Sequence, residues 1–101
     1  PAITTDLAGF GLWVNSLKGG YAELKDGVKV IHRSDYNYSE VADAIKDTVS
    51  EFSGLNDAEI KKIRKNAAEI AEKALWKHFI KYYYEAYDIA LRNAQKRLIN
   101  R

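Results

Sequence analysis

Pro1-Ala2-Ile3-Thr4-Thr5-Asp6-Leu7-Ala8-Gly9-Phe10-Gly11 decides how this chain is read. Ala2 to Thr5 is a short β-favouring run, with Ile and two Thr supplying branched side chains. It passes directly into a glycine-spaced turn, and Asp6 to Gly11 is the loop or the helix entry. An apolar pattern of helical spacing follows at Leu7, Phe10, Val14 and Leu17. Strand, glycine loop and helix in this order place the loop at the carboxyl edge of a sheet, where α/β proteins build ligand sites. The chain opens on this strand and contains no Met. It is therefore expected to be a segment of a longer protein.

Moving outward, Leu12 to Lys18 suits a short helix stopped by Gly19-Gly20. Tyr21 to Leu24 is ambiguous. Lys25-Asp26-Gly27 is a turn, and Val28 to Ile31 is a second β-favouring run. An Asp-Gly pair between such runs is a hairpin signal, so Tyr21–Leu24 and Val28–Ile31 are candidates for antiparallel pairing. His32 to Tyr38 is polar and irregular. Ser39 is the expected cap of a helix whose apolar face is Val41, Ile45, Val49 and Phe52, ended by Ser53-Gly54. Asn56 followed three residues later by Glu59 resembles a capping box. Beyond it there is no Gly or Pro to the end of the chain. One apolar stripe runs through Ile60, Ile63, Ala67, Ile70 and Ala74. A second phase runs through Phe79, Ile80, Tyr83, Tyr87, Ala90, Leu91, Ala94 and Leu98. A break near Leu75–His78 is expected, because one helix of this length is unusual in a small domain. The fold class is helix-rich α/β, with a strand–loop–helix part over residues 1–55 and a helical part over 56–101.

The 101 residues suit a single domain, and 47% hydrophobic with 30% charged is ordinary for a globular chain. No apolar run reaches membrane-span length and no signal peptide is present. Cysteine is absent, which excludes disulfides and thiolate metal sites. Charge is uneven: residues 1–55 carry five Lys/Arg against eight Asp/Glu, and residues 56–101 carry eleven against six. A basic half can attract anions, but a solvated helical face is the plainer account.

Motifs of specific chemistry are few. Gly9 and Gly11 permit close backbone approach, and a helix start beside them favours anions, yet G-x-G without a third Gly is no dinucleotide fingerprint. His32 and His78 lie in different elements with no metal-ligand spacing, so no metal is expected. His78 reads as a packing or surface residue. Asp6, Asp35 and Glu40 are scattered carboxylates and not a marked acid–base pair. Trp76, Phe79, Tyr82, Tyr83, Tyr84 and Tyr87 form an aromatic block among Lys77, Lys81, Arg92, Lys96 and Arg97. Such interleaving can bind single-stranded nucleic acid. The helical spacing of Trp76, Phe79, Tyr83 and Tyr87 points instead to one packed face, with Tyr82 and Tyr84 projecting sideways.

The stretch Ala2 to Gly11 resembles the segment PSITTNLSGFG of glycogen synthases of the animal and fungal type and their bacterial relatives, with departures that include Asp6 for Asn and Ala8 for Ser. Val30-Ile31-His32-Arg33-Ser34-Asp35 looks like the family strand that ends in an Asp-Arg-Arg turn. Leu75-Trp76 is similar to the family's Asp-Trp, and Tyr83 to Leu91 to its helix that opens on Tyr-Tyr and closes on Ala-Leu. These landmarks span nearly the whole chain.

The resemblance implies a retaining glycosyltransferase of the GT-B type, with two Rossmann-like domains facing a cleft. It would transfer glucose from UDP-glucose or ADP-glucose to an α-1,4-glucan in the cytoplasm, without a cofactor. Residues 1–101 would be the C-terminal portion of the second, nucleotide-sugar-binding domain. Thr5, Asp6, Leu7, Ala8, Gly9, Phe10 and Gly11 would form the donor-site loop. The family's catalytic glutamates and basic clamp would lie outside these residues, so this chain alone would hold no catalytic residue and no activity. The family topology also makes Ala2–Thr5 and Val28–Ile31 parallel neighbours, which is the pairing expected here. Some members carry an arginine-rich helix for glucose 6-phosphate. The equivalent basic cluster is Lys61, Lys62, Arg64 and Lys65, but Asn66 and Glu69 stand where the family has Arg, leaving Arg64 as the candidate sugar-phosphate contact. Expected partners are the nucleotide sugar and the glucan, with no nucleic acid and no membrane, and with self-association of this stretch. The rival class is a freestanding helical module using its basic aromatic face for nucleic acid or a protein partner.

Overall fold

The computed structural model describes residues 1–100. The chain is helix-rich with a small two-stranded parallel sheet. It divides into two compact units, residues 1–70 and 71–101.

Strand β1 (Ala2–Thr5) pairs with β2 (Val28–Ile31) in parallel, with Ala2 opposite Val28 and Thr5 opposite Ile31. Helix α1 (Gly9–Lys18) lies in the connection between them. The expected parallel pairing is therefore present, and the local hairpin is not. Tyr21–Leu24 forms no strand; Leu24–Asp26 is instead a 3-10 turn, with the Glu23 N–H donating to Asp26 Oδ2 at 2.8 Å. The Ala22 carbonyl still accepts from the Val30 N–H at 3.0 Å, so one ladder-like bond survives there. Gly27 ends the turn at φ 96°, a left-handed conformation that glycine adopts without steric cost.

The core of this unit is small and aliphatic. Val14, Ala22, Val28 and Val30 pack together, with Trp13 and Ile70 against them. Val14 and Val30 are each only 2% exposed. Helix α2 (Tyr38–Ser53) buries Val41 and Thr48. Ile45 and Val49 remain exposed, so the expected apolar face is rotated. The Thr48 hydroxyl donates to the Ala44 carbonyl at 2.7 Å, which lets a polar side chain occupy that buried turn. Helix α3 (Asp57–Lys73) buries Ile63. Its start is the expected capping box: the Glu59 N–H donates to Asn56 Oδ1 at 2.9 Å and the Asn56 N–H to Glu59 Oε1 at 3.4 Å.

Two helix starts differ from the sequence expectation. Helix α1 starts at Gly9 rather than Leu12, taking Gly11 into its first turn. Of its apolar residues, Val14 is buried, while Phe10 and Leu17, like Leu7 before it, are exposed. Helix α2 begins at Tyr38 with Asn37 as its cap residue, in place of Ser39.

In the second unit, helix α4 (Trp76–Ile99) begins after a two-residue break at Ala74 and Leu75, at the leading edge of the expected interruption, while Trp76 to His78 are already helical. Glu72 Oε1 lies 3.0 Å from Lys77 Nζ and 3.4 Å from His78 Nε2, tying the two sides of the break. The Lys77 ammonium, and then His78, hold the Glu72 carboxyl below the usual carboxylate range. No residue of α4 is buried. The expected packed face of Trp76, Phe79, Tyr83 and Tyr87 is thus largely open, with Trp76 57% and Tyr87 58% exposed. Among the described residues, no helix is long and apolar enough to cross a membrane.

Candidate functional site

Both strands are parallel, so their carboxyl ends lie side by side at Thr5 and Ile31. The residues that follow, Asp6 and His32, meet there. Asp6 continues the ladder by donating its N–H to the Ile31 carbonyl at 3.1 Å. Its side chain then gathers three donors. The Arg33 N–H reaches Oδ1 at 2.8 Å, the Tyr21 hydroxyl reaches Oδ2 at 2.7 Å, and His32 Nδ1 lies 2.8 Å from the same Oδ2.

An ionised carboxylate only accepts, so His32 donates from Nδ1 and its Nε2 is directed away from this bond. The His32 side chain is 64% exposed against 11% for Asp6. The pair thus presents an oriented imidazole to solvent from a covered anion. The Arg33 N–H, followed by His32 and Tyr21, holds the Asp6 carboxyl far below the usual carboxylate range. Asp6 in turn pushes the Tyr21 phenol up, since a phenolate would face a carboxylate.

The loop that returns from β2 is fixed by Asn37. Its amide Nδ2 donates to the His32 carbonyl at 2.8 Å, and its Oδ1 accepts from the Ser34 N–H at 2.7 Å. Arg33 stacks over the Tyr38 ring at 5.7 Å. On the β1 side, the Leu7 N–H donates weakly to Thr5 Oγ1 at 3.4 Å. Ala8 caps α1 with extended backbone and no side-chain bond. The amides at Gly9, Phe10 and Gly11 open the helix there, and such helix starts favour negative charge. Gly11 sits so close to β1 that a Cβ on it would lie 2.0 Å from the Thr5 carbonyl oxygen.

Thr5 closes β1 at this edge, Asp6 to Ala8 follow it, and Gly9 to Gly11 are the first turn of α1. Leu7, Ala8, Gly9 and Phe10 are exposed at this edge, and Gly11 is buried behind it. Arg64 is exposed on α3 and has no part in this edge's hydrogen bonds. Asn66 serves the fold, since its Nδ2 donates to the Lys25 carbonyl at 2.7 Å. Tyr21, His32 and Arg33 are not marked by the sequence pattern as partners of Asp6. Their separations of 15, 26 and 27 residues follow only from the parallel pairing.

Two hollows border the sheet. A shallow one of about 280 Å³ adjoins the edge, lined by Tyr21, Glu23, Lys29, Val30, Ile31, His32 and Ala44. A more apolar one of about 340 Å³ lies by the amino end of β1, between Pro1–Ile3, Leu24 and the Thr48–Phe52 side of α2. The second lacks the polar groups that orient a ligand. Among the described residues, no group of three His, Asp or Glu is placed to hold a metal ion. Comparison with family models, with curated proteins and with solved structures returns no match.

The Asp6 cluster has a defined pH dependence. Its carboxyl is depressed in the folded chain, so it adds stability above its unfolded value of about 4 and loses it as pH falls. The gap in melting temperature between the native chain and Asp6→Asn should be widest near neutrality and close toward pH 2. Thermal melts across that range measure it. A gap independent of pH would mean that the carboxylate charge contributes nothing.

Proposed function

We propose that this chain supplies the carboxyl-edge wall of a nucleotide-sugar-binding domain in a glycosyltransferase of the glycogen synthase type. The observation that carries the proposal is the parallel pairing of β1 with β2, which sets Thr5–Gly11 beside His32 and Arg33. A loop and helix start at such an edge suit a diphosphate, and the adjacent polar groups suit sugar hydroxyls. In this reading Thr5 to Gly11 line the donor, UDP-glucose or ADP-glucose, and an α-1,4-glucan is the acceptor. The protein works in the cytoplasm, and Arg64 meets a sugar phosphate. Transfer requires a donor and acceptor held in a closed cleft. The residues on this edge bind and orient but offer no second wall.

The expected result is no glucosyl transfer to glycogen by residues 1–101 with either donor, and transfer by the full reading frame that encodes them. Incorporation of radiolabelled glucose measures both. Activity of residues 1–101 alone, or no activity of the full reading frame with both donors, rejects the proposal.

The rival, a binding module, is favoured by one observation. Tyr82 and Tyr84 are exposed, and Lys81 lies 5.0 Å above the Tyr82 ring. Saturable, salt-sensitive binding of a single-stranded oligonucleotide would support it; the transferase reading expects none.

A further inference from the structure

Helix α4 carries a seam suited to its own copy. Trp76, Ile80, Tyr83, Tyr87, Ala90 and Ala94 follow one another at spacings of four, three, four, three and four, the repeat that keeps one stripe facing a partner helix. At 100° per residue all six lie within about 40° of the Trp76 direction. None is buried. Trp76 and Tyr83 already pack against each other on this stripe as tilted rings, with centroids 4.8 Å apart. Lys81, Glu85, Arg92 and Lys96 fall about 140° to 200° away, on the opposite side. The seam is therefore nearly free of charge, with Lys77 and Arg97 at its margins.

The stripe is also graded in size. Its first half holds Trp76, Ile80 and Tyr83, and its second half holds Tyr87, Ala90 and Ala94, so bulk is concentrated at the Trp76 end and small residues at the Ala94 end. Two copies side by side in the same direction would set bulk on bulk and leave gaps between alanines. Antiparallel copies place bulk against alanine, which fills space evenly. We infer that α4 is the contact of an antiparallel homodimer, with Trp76 of one copy against Ala94 of the other and Ile80 against Ala90. Tyr83 and Tyr87 face each other about the two-fold axis, so the surface is self-complementary.

The area suffices for a specific pair. Trp76, Tyr83, Tyr87, Leu91 and Leu98 are each about half exposed or more. At 150–250 Å² for a large side chain, they offer on the order of 600 Å² per copy, which reaches the lower end of standard-size interfaces at about 1,200 Å² in total. The basic margins make salt favourable: raising ionic strength screens Lys77 and Arg97 and should tighten the dimer. An association of the basic helices with the acidic half of the chain would weaken instead.

The experiment uses the whole chain in light scattering over a concentration series. The expected result is a monomer–dimer equilibrium, weakened at least tenfold by Ile80→Lys and unchanged by Arg92→Glu. Circular dichroism with unaltered helix content shows that Ile80→Lys acts on the contact and not on folding. The absence of native cysteine permits a direct test of direction. A mixture of Ile80→Cys and Ala90→Cys chains should form a mixed disulfide, while Ala90→Cys alone should not cross-link. A monomer at all concentrations, a dimer indifferent to Ile80→Lys, or an Ala90→Cys self-disulfide each overturns the proposal.

Discussion

Gly27→Ala is expected to unfold the first unit of the chain. Two costs act at once. Gly27 sits at φ 96°, where a side chain is strained. A Cβ there would also lie 2.3 Å from the Ala67 nitrogen and 2.6 Å from its Cα. Those are backbone atoms of α3, so no flexible side chain can swing away. The turn and the helix would have to separate, exposing Val28 and Ile63 beside them. Strain alone is isolated by Gly19→Ala, which has φ 80° but open space around it; that change should cost about 1 kcal/mol. Gly27→Ala should cost about 4 kcal/mol or more. A unit of this size has little more than that in total. Urea unfolding followed by tryptophan fluorescence compares the two. Equal losses would show that α3 yields to the added methyl.

Gly11→Ala should be nearly as damaging, through contact alone. Its backbone is helical, and alanine is the better helix former. Propensity by itself would therefore make this change stabilising by somewhat under about 1 kcal/mol. The Thr5 carbonyl, 2.0 Å from the added Cβ, reverses the sign. Relief requires α1 to move off the end of β1, which disturbs the Asp6–Ile31 bond and the Asp6 cluster behind it. The expected net loss is about 3 kcal/mol, read from the urea midpoint. Gly9→Ala, two residues earlier with nothing near its Cβ, is the matched comparison and should be neutral or mildly stabilising. A neutral Gly11→Ala would mean that the helix start is loosely seated, and with it the candidate site.

The part of the fold governed by local chemistry is legible in the residues. The β-branched run at Ile3–Thr5, the Asn56–Glu59 capping box and the interruption before Trp76 each depend on neighbours a few positions away. The parallel pairing of β1 and β2 is not local; the Asp26-Gly27 turn argues for a hairpin, and resemblance to a known family argues against it. The start of α1 is hidden because Gly9 and Gly11 look like loop residues. Here Gly11 serves close packing, which a single sequence does not distinguish from turning. The orientation of α2 escapes the apolar pattern because Thr48 satisfies its hydroxyl on Ala44 and so tolerates burial. The loop Thr5–Gly11 can be read from the residues, but Tyr21, His32 and Arg33 cannot. Their link to Asp6 exists only once the two strands have met.

The same separations set the order of assembly. The bonds of Asp6 with His32 and Arg33 close loops of 26 and 27 residues, and the Asn66–Lys25 bond closes one of 41. No short hairpin lets the sheet zip up stepwise, so its first hydrogen bond forms only after a long stretch has been confined. Helix α4, held by bonds four residues apart, can form within about a microsecond. During refolding of the complete chain, helix α4 with its seam at Trp76–Ala94 can therefore form before the valine core has closed. A refolding chain would carry this exposed apolar seam while the edge at Thr5–Gly11 is still unmade, and crowding at that moment favours contact between chains over closure within one.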